Sequence, residues 1–212
     1  MTDARPWWDP EVLADRRPML AARGRLTAAV RGFFADRAVV EVETPALQVS
    51  PGLEPHLKAF ATAWTPPDGR PPVPLYLHTS PEFTMKKLLA GGLPAIFQMA
   101  RVFRDGERSA THHPEFTMLE WYRVGATYTD LMDETEALVA ACQEAAWETP
   151  LRWGDGEADA TQPWRRLSVA EALGEYAGVD LLGCLPPHPD RDPDPAPLAA
   201  EARRLGLTVS DT

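Results

Sequence analysis

Apolar and polar positions recur along this chain in two periods, and each change of period marks an element. Between Met19 and Arg37 the residues Leu26, Val30, Phe33 and Phe34 fall at three- and four-residue spacing, which predicts a helix with one buried face. Val39–Thr44 is β-branched and partly alternating, so a short strand is predicted there, stopped by Pro45. Residues 50–74 are rich in proline and read as a loop interrupted by a short strand near Leu57–Ala63. Leu75–Thr79 reads as another strand and runs into Ser80-Pro81-Glu82. That triplet predicts a helix start, with Ser as the cap, Pro at the first helical position and an acid in the first turn. The helix carries Met85, Leu88 and Leu89 on one side and stops at Gly91-Gly92.

Two longer strands follow, Ala95–Arg104 and Glu115–Arg123, and their spacing predicts an antiparallel hairpin. Thr127 or Thr129 then caps an amphipathic helix that runs through Leu131, Leu138 and Cys142 to about Trp147. Beyond residue 150 the character changes. Ser168-Val169-Ala170-Glu171 is a capping box opening a short helix, residues 183–197 are rich in proline and aspartate, and Leu198–Leu205 is a last helical piece. The pattern divides the chain into a polar arm (1–18), a core (19–150) and an appended helical segment (151–212), an α+β organisation.

Composition narrows the class. With 212 residues, 44% of them hydrophobic, the chain can bury a sizeable core, and a 25% charged share is ordinary for a globular protein. The net charge of −10 means that contact with a polyphosphate backbone would need a local basic patch. Arg16, Arg17, Arg23, Arg25, Arg31 and Arg37 form the richest candidate, their other reading being a solvated helix face. Cys142 and Cys184 lie far apart in no metal-like spacing, which reads as a reduced, cytoplasmic protein. The sequence shows no signal pattern and no apolar run of bilayer length, so no membrane partner is predicted.

Strand periodicity makes a sharp statement about chemistry. Phe116, Met118, Glu120 and Tyr122 share one face, and on the preceding strand Gln98, Ala100, Val102 and Arg104 share one. A carboxylate and a phenol on a mostly apolar face need partners; Glu120 either pairs with a core arginine, with Tyr122 simply packing, or belongs to a site. The loop Asp105–Pro114 gathers Arg, Glu and His side chains with backbone donors, a set suited to a polyanion. His112-His113 has no Cys or third His nearby in sequence, and no metal site is assigned to it.

These residues resemble the class II aminoacyl-tRNA synthetases. Phe33-Phe34-Ala35-Asp36-Arg37 with Val42-Glu43-Thr44-Pro45 looks like motif 1, the helix and strand of the dimer interface. Phe103-Arg104, the loop, and Pro114–Tyr122 look like motif 2. Thr79-Ser80-Pro81-Glu82 and His113–Glu120 are similar to the lysine branch of the class, and the likeness covers roughly residues 19–148. The resemblance implies an antiparallel synthetase-type sheet flanked by helices. It also implies an ATP- and magnesium-dependent ligase that activates a lysine-type amino acid as its adenylate. By the same carry-over Arg104 is the catalytic residue, binding the α-phosphate of ATP. Glu107 and His113 stand at nucleotide-contacting positions, and Ser80, Glu82, Glu120 and Tyr122 at amino-acid-binding ones. One departure is Gly106, where the family usually has Glu; Glu107 would substitute for it.

Motif 1 starts near residue 19, which leaves no room for the anticodon-binding barrel of lysyl-tRNA synthetases. This favours a likeness to the stand-alone paralogues that pass a β-lysyl group to a lysine of elongation factor P, with tRNA the less favoured acceptor. Ser80, where many lysyl-tRNA synthetases carry alanine, and Leu119-Glu120-Trp121-Tyr122 point the same way. A homodimer is implied by motif 1. Motif 3 and its acidic magnesium ligands are not found in these residues. The sequence therefore reads as incomplete at its C-terminus, the other reading being a non-catalytic binding or dimerising protein.

Overall fold

The computed structural model describes residues 5–147, 150–185 and 194–209. The first helix, α1, spans Pro10–Ala35 and so begins well before Met19. Residues 10–18, placed in the polar arm by the sequence, are helical. The cause is local: the Asp9 carboxylate accepts the backbone N–H groups of Glu11 and Val12, and Pro10 and Glu11 suit a helix's first turn. Pro18 is accommodated within α1. The buried face is Ala22, Val30, Phe33 and Phe34.

The chain continues through β1 (Val40–Glu41), β2 (Leu47–Gln48), β3 (Ala61–Trp64) and β4 (Val73–Leu77). Then come α2 (Glu82–Ala90), β5 (Ala95–Phe103), β6 (Glu115–Arg123) and α3 (Tyr128–Ala146). The fold is α+β. One sheet has the order β1-β5-β6 and a second the order β2-β4-β3. β5 and β6 pair antiparallel over nine consecutive residue pairs, from Ala95↔Arg123 to Phe103↔Glu115. β1 instead runs parallel to β5, so the sheet is mixed. The early strands are shorter or displaced relative to their predicted spans, because Pro45 and the proline-rich stretch leave few backbone donors for a ladder.

The chain parts into two compact units, Met1–Gln162 and Pro163–Thr212. In the first, Phe34 is the centre of the core: its ring stacks on Phe97 at 4.5 Å and meets Trp121 at 5.7 Å, with Val30, Phe33 and Leu138 around it. Thr127 caps α3 in a capping box with Asp130. A small hairpin, β7 (Leu151–Trp153) with β8 (Gly156–Ala158), follows α3 in the same unit. The second unit holds α4 (Val169–Ala177), opened by the Ser168–Glu171 capping box, and α5 (Ala196–Arg204). Most of the proline- and aspartate-rich stretch 183–197 lies outside the described residues.

Four of the six arginines of the N-terminal stretch have structural work within the first unit. Arg23 donates to Thr117, and Arg25 donates to the carbonyls of Ala145 and Ala146 at the end of α3. Arg31 pairs with Glu41, and Arg37 lies 3.5 Å from the centroid of the Phe33 ring.

Candidate active site

The turn from β4 into α2 sets the first group in place. Ser80 Oγ accepts the backbone N–H of Glu82 at 3.0 Å, which satisfies one open donor of the helix start. The same hydroxyl donates to Glu120 Oε1, forty residues away on β6. Tyr122 OH donates to the other oxygen, Glu120 Oε2, at 2.8 Å. Two hydroxyls, not a core arginine, are therefore the hydrogen-bond partners of Glu120. Burial, together with the bond to Glu120 and the charges of Glu120 and Glu82, pushes the Tyr122 phenol above its ordinary value, so it stays a proton donor.

Antiparallel register puts Gln98 of β5 opposite Glu120. Gln98 is buried, and its Oε1 accepts from Thr44 Oγ1 at 3.0 Å, while the Thr84 hydroxyl of α2 lies within hydrogen-bond distance of Thr44 Oγ1 at 3.1 Å and of the Pro81 carbonyl at 2.8 Å. Side chains of α2, β5 and the segment after β1 are thus tied beneath Glu120.

Arg104 follows β5 directly. Its backbone N–H donates to the Pro114 carbonyl at 2.8 Å, closing the base of the loop between β5 and β6. Its guanidinium reaches Thr79 O at 3.4 Å and Glu107 Oε1 at 3.8 Å and lies 5.2 Å from the centroid of the Phe116 ring. Gly106 has φ of 83°, a left-handed turn that glycine adopts without strain, and this turn precedes the residue that meets Arg104.

Ser80, Glu82, Arg104 and Glu120 line one cleft of about 650 Å3. Tyr122 lies in a second hollow that shares Glu82 and Glu120 with the cleft. Glu107 and His113 are not among the cleft-lining residues. Glu107 is engaged by Arg104, and exposed His113 sets its Nδ1 2.9 Å from the Glu115 carbonyl.

One wall was missed by sequence reasoning: the loop of Pro51, Gly52, Leu53 and Glu54, which faces Thr79. Thr79 Oγ1 donates to the Pro51 carbonyl at 3.2 Å, and a Cβ on Gly52 would stand 3.2 Å from Thr79 Oγ1. The Pro51-Gly52 dipeptide signals a turn but not this approach.

The cleft thus offers three carboxylates, Glu54, Glu82 and Glu120, and a guanidinium, which suits a ligand bearing cationic groups and an anionic one. Among the described residues no group of three or more His, Cys, Asp or Glu stands together to hold a metal ion. Among them, too, no helix is long and apolar enough to cross a membrane.

Comparison with known proteins gives the family context. The sequence profile of the class II tRNA synthetases (D, K and N) matches residues 11–200. An elongation factor P–(R)-β-lysine ligase of Vibrio parahaemolyticus is 44% identical over 201 residues, covering 95% of this chain and 54% of that protein. The ligase of that name from Erwinia tasmaniensis is 41% identical, covering 97% of this chain and 54% of the relative. A lysine–tRNA ligase of Prochlorococcus marinus is 34% identical over 194 residues, 91% of this chain and 36% of that enzyme. The chain spans about half the length, or less, of these curated relatives.

Proposed function

Since the chain belongs to the class II tRNA synthetases of the aspartate, lysine and asparagine group, we propose that it serves an ATP-dependent ligase. This ligase activates (R)-β-lysine or lysine as an adenylate and transfers it to a lysine of elongation factor P. The observation that carries this reading is the pairing of Glu82 and Glu120 in one cleft with Arg104. Two carboxylates sharing a cleft repel each other unless cations join them, and a lysine-type amino acid brings two ammonium groups and one carboxylate.

In this reading Glu82 and Glu120 take the ammonium groups, with Ser80 and Tyr122 orienting Glu120. The substrate carboxylate attacks the α-phosphorus of ATP, forming the acyl–phosphate bond as pyrophosphate leaves. Arg104 donates to the α-phosphate oxygens as charge builds on them. The acceptor amine then attacks the acyl carbon, forming the amide and releasing AMP. Glu107 and His113 contribute to the nucleotide end. Magnesium accompanies ATP in ligases of this kind; among the described residues no acidic set stands together to hold it.

Elongation factor P is favoured over tRNA as acceptor by the higher identity to the ligases named for it. The protein works as a homodimer in the cytoplasm. ATP–pyrophosphate exchange driven by (R)-β-lysine tests the reading. Arg104→Ala is expected to abolish exchange while amino-acid binding persists; exchange at the wild-type rate would remove Arg104 from the phosphate role.

A further inference from the structure

Glu82 has a cation of its own. Lys86, one turn further along α2, sets its Nζ 2.6 Å from Glu82 Oε1 and 5.9 Å from the centroid of the Tyr122 ring. Together with Glu82, Glu120 and Tyr122 it lines the second hollow. A Glu–Lys pair at this spacing is ordinarily a solvated helix pair of small consequence. Two features set this one apart. The carboxylate it engages also faces the ligand cleft, and the ring beside it belongs to the phenol that holds the other carboxylate. The Lys86 ammonium therefore supplies, from within the chain, the kind of charge that a cationic ligand would bring to the same group.

We propose that Lys86 is a positioning residue acting as a built-in competitor: it neutralises Glu82 while the cleft is empty, and the ammonium of a diamino acid displaces it. The proposal rests on the ligase reading and adds a residue that sets affinity within it. Binding then exchanges one ion pair for another instead of creating a new one. Lys86 holds affinity for the amino acid down and keeps two carboxylates from facing each other unpaired between turnovers.

Calorimetric titration of the protein with (R)-β-lysine and with lysine tests this, using Lys86→Met, Lys86→Arg, Glu82→Gln and the double variant Glu82→Gln/Lys86→Met. Lys86→Met is expected to tighten binding about three-fold at low salt, the scale of an exposed ion pair together with the like charge removed. Lys86→Arg keeps the cation and the wild-type affinity, and Lys86→Met has no effect once Glu82 is glutamine. A lysine that merely steadied α2 would give weaker binding when removed, so the gain of affinity is the distinguishing sign. Unchanged or weaker binding in Lys86→Met, with Glu82→Gln still weakening it, overturns the proposal and leaves the ligase reading standing. Wild-type protein that binds neither amino acid overturns both.

Discussion

Glu120 is held by two neutral hydroxyls, Ser80 and Tyr122, and this decides what it can do next. A guanidinium in their place would have consumed the charge; hydroxyls fix the carboxylate's direction and leave its charge for a ligand. Tyr122→Phe removes one of the two bonds and is expected to weaken binding of a lysine-type amino acid by about 1 kcal/mol, roughly five-fold, in calorimetry. Glu120→Gln removes the charge itself and is expected to cost about 2–4 kcal/mol by the same measurement. Loss of ATP affinity in its place would move Glu120 out of the amino-acid end. Strand alternation was enough to place Glu120 and Tyr122 on one face, because period two is a property of the backbone alone. The bond from Ser80 was not legible, since it spans forty positions and depends on how α2 meets β6. Lys86 and Glu82 stand at i,i+4 spacing on α2, but nothing in a spacing says that the carboxylate also faces a cleft.

Helices and strands were legible in proportion to their length. The β5–β6 ladder has nine consecutive pairs, enough alternation to fix register and face together. β1 and β2 have two residues each, too few to show any period. The start of α1 was misplaced because apolar spacing was weighed from Met19 onward, while the stronger local signal was Asp9-Pro10-Glu11, a cap and first turn. The turn after β8 carries the clearest acid response. Asp159 accepts from Thr161 Oγ1 at 2.7 Å, Thr161 N at 3.0 Å and Gln143 Nε2 at 2.9 Å, and these bonds hold its carboxyl at about 2 against an ordinary 3.8. A depressed value stabilises the folded state above the ordinary value and loses that effect as pH falls through the depressed one. The last turn of α3, where Gln143 sits, is therefore expected to loosen between about pH 4 and about pH 2. Hydrogen exchange at the Ala160 amide, which donates to Gln143 Oε1, reads this directly. Asp159→Asn is expected to abolish the dependence in that window.

Across the full chain, charge and core set different limits. With a net charge of −10, and with Arg23, Arg25, Arg31 and Arg37 already bonded within the fold, little free basic surface is left on α1 for a polyphosphate. Retention of bulk tRNA on filters at about 0.15 M salt is expected to be negligible. Strong, salt-sensitive retention would instead show that Arg16 and Arg17 form a working basic patch. Phe34→Ala opens a void against Phe97 and Trp121 and is expected to cost about 3–5 kcal/mol in denaturant unfolding. Because Phe97 belongs to the strand that carries Gln98 and leads into Arg104, the same change should loosen the cleft. That strand also fixes a length. Gln98, opposite Glu120, and Arg104 are six positions apart, roughly 20 Å of backbone that is laddered through Phe103 and cannot shorten without giving up paired backbone bonds. The hairpin thus works as a beam: Glu120 and Arg104 are carried on one rigid piece, and neither can slide along it toward the other while the ladder stays paired.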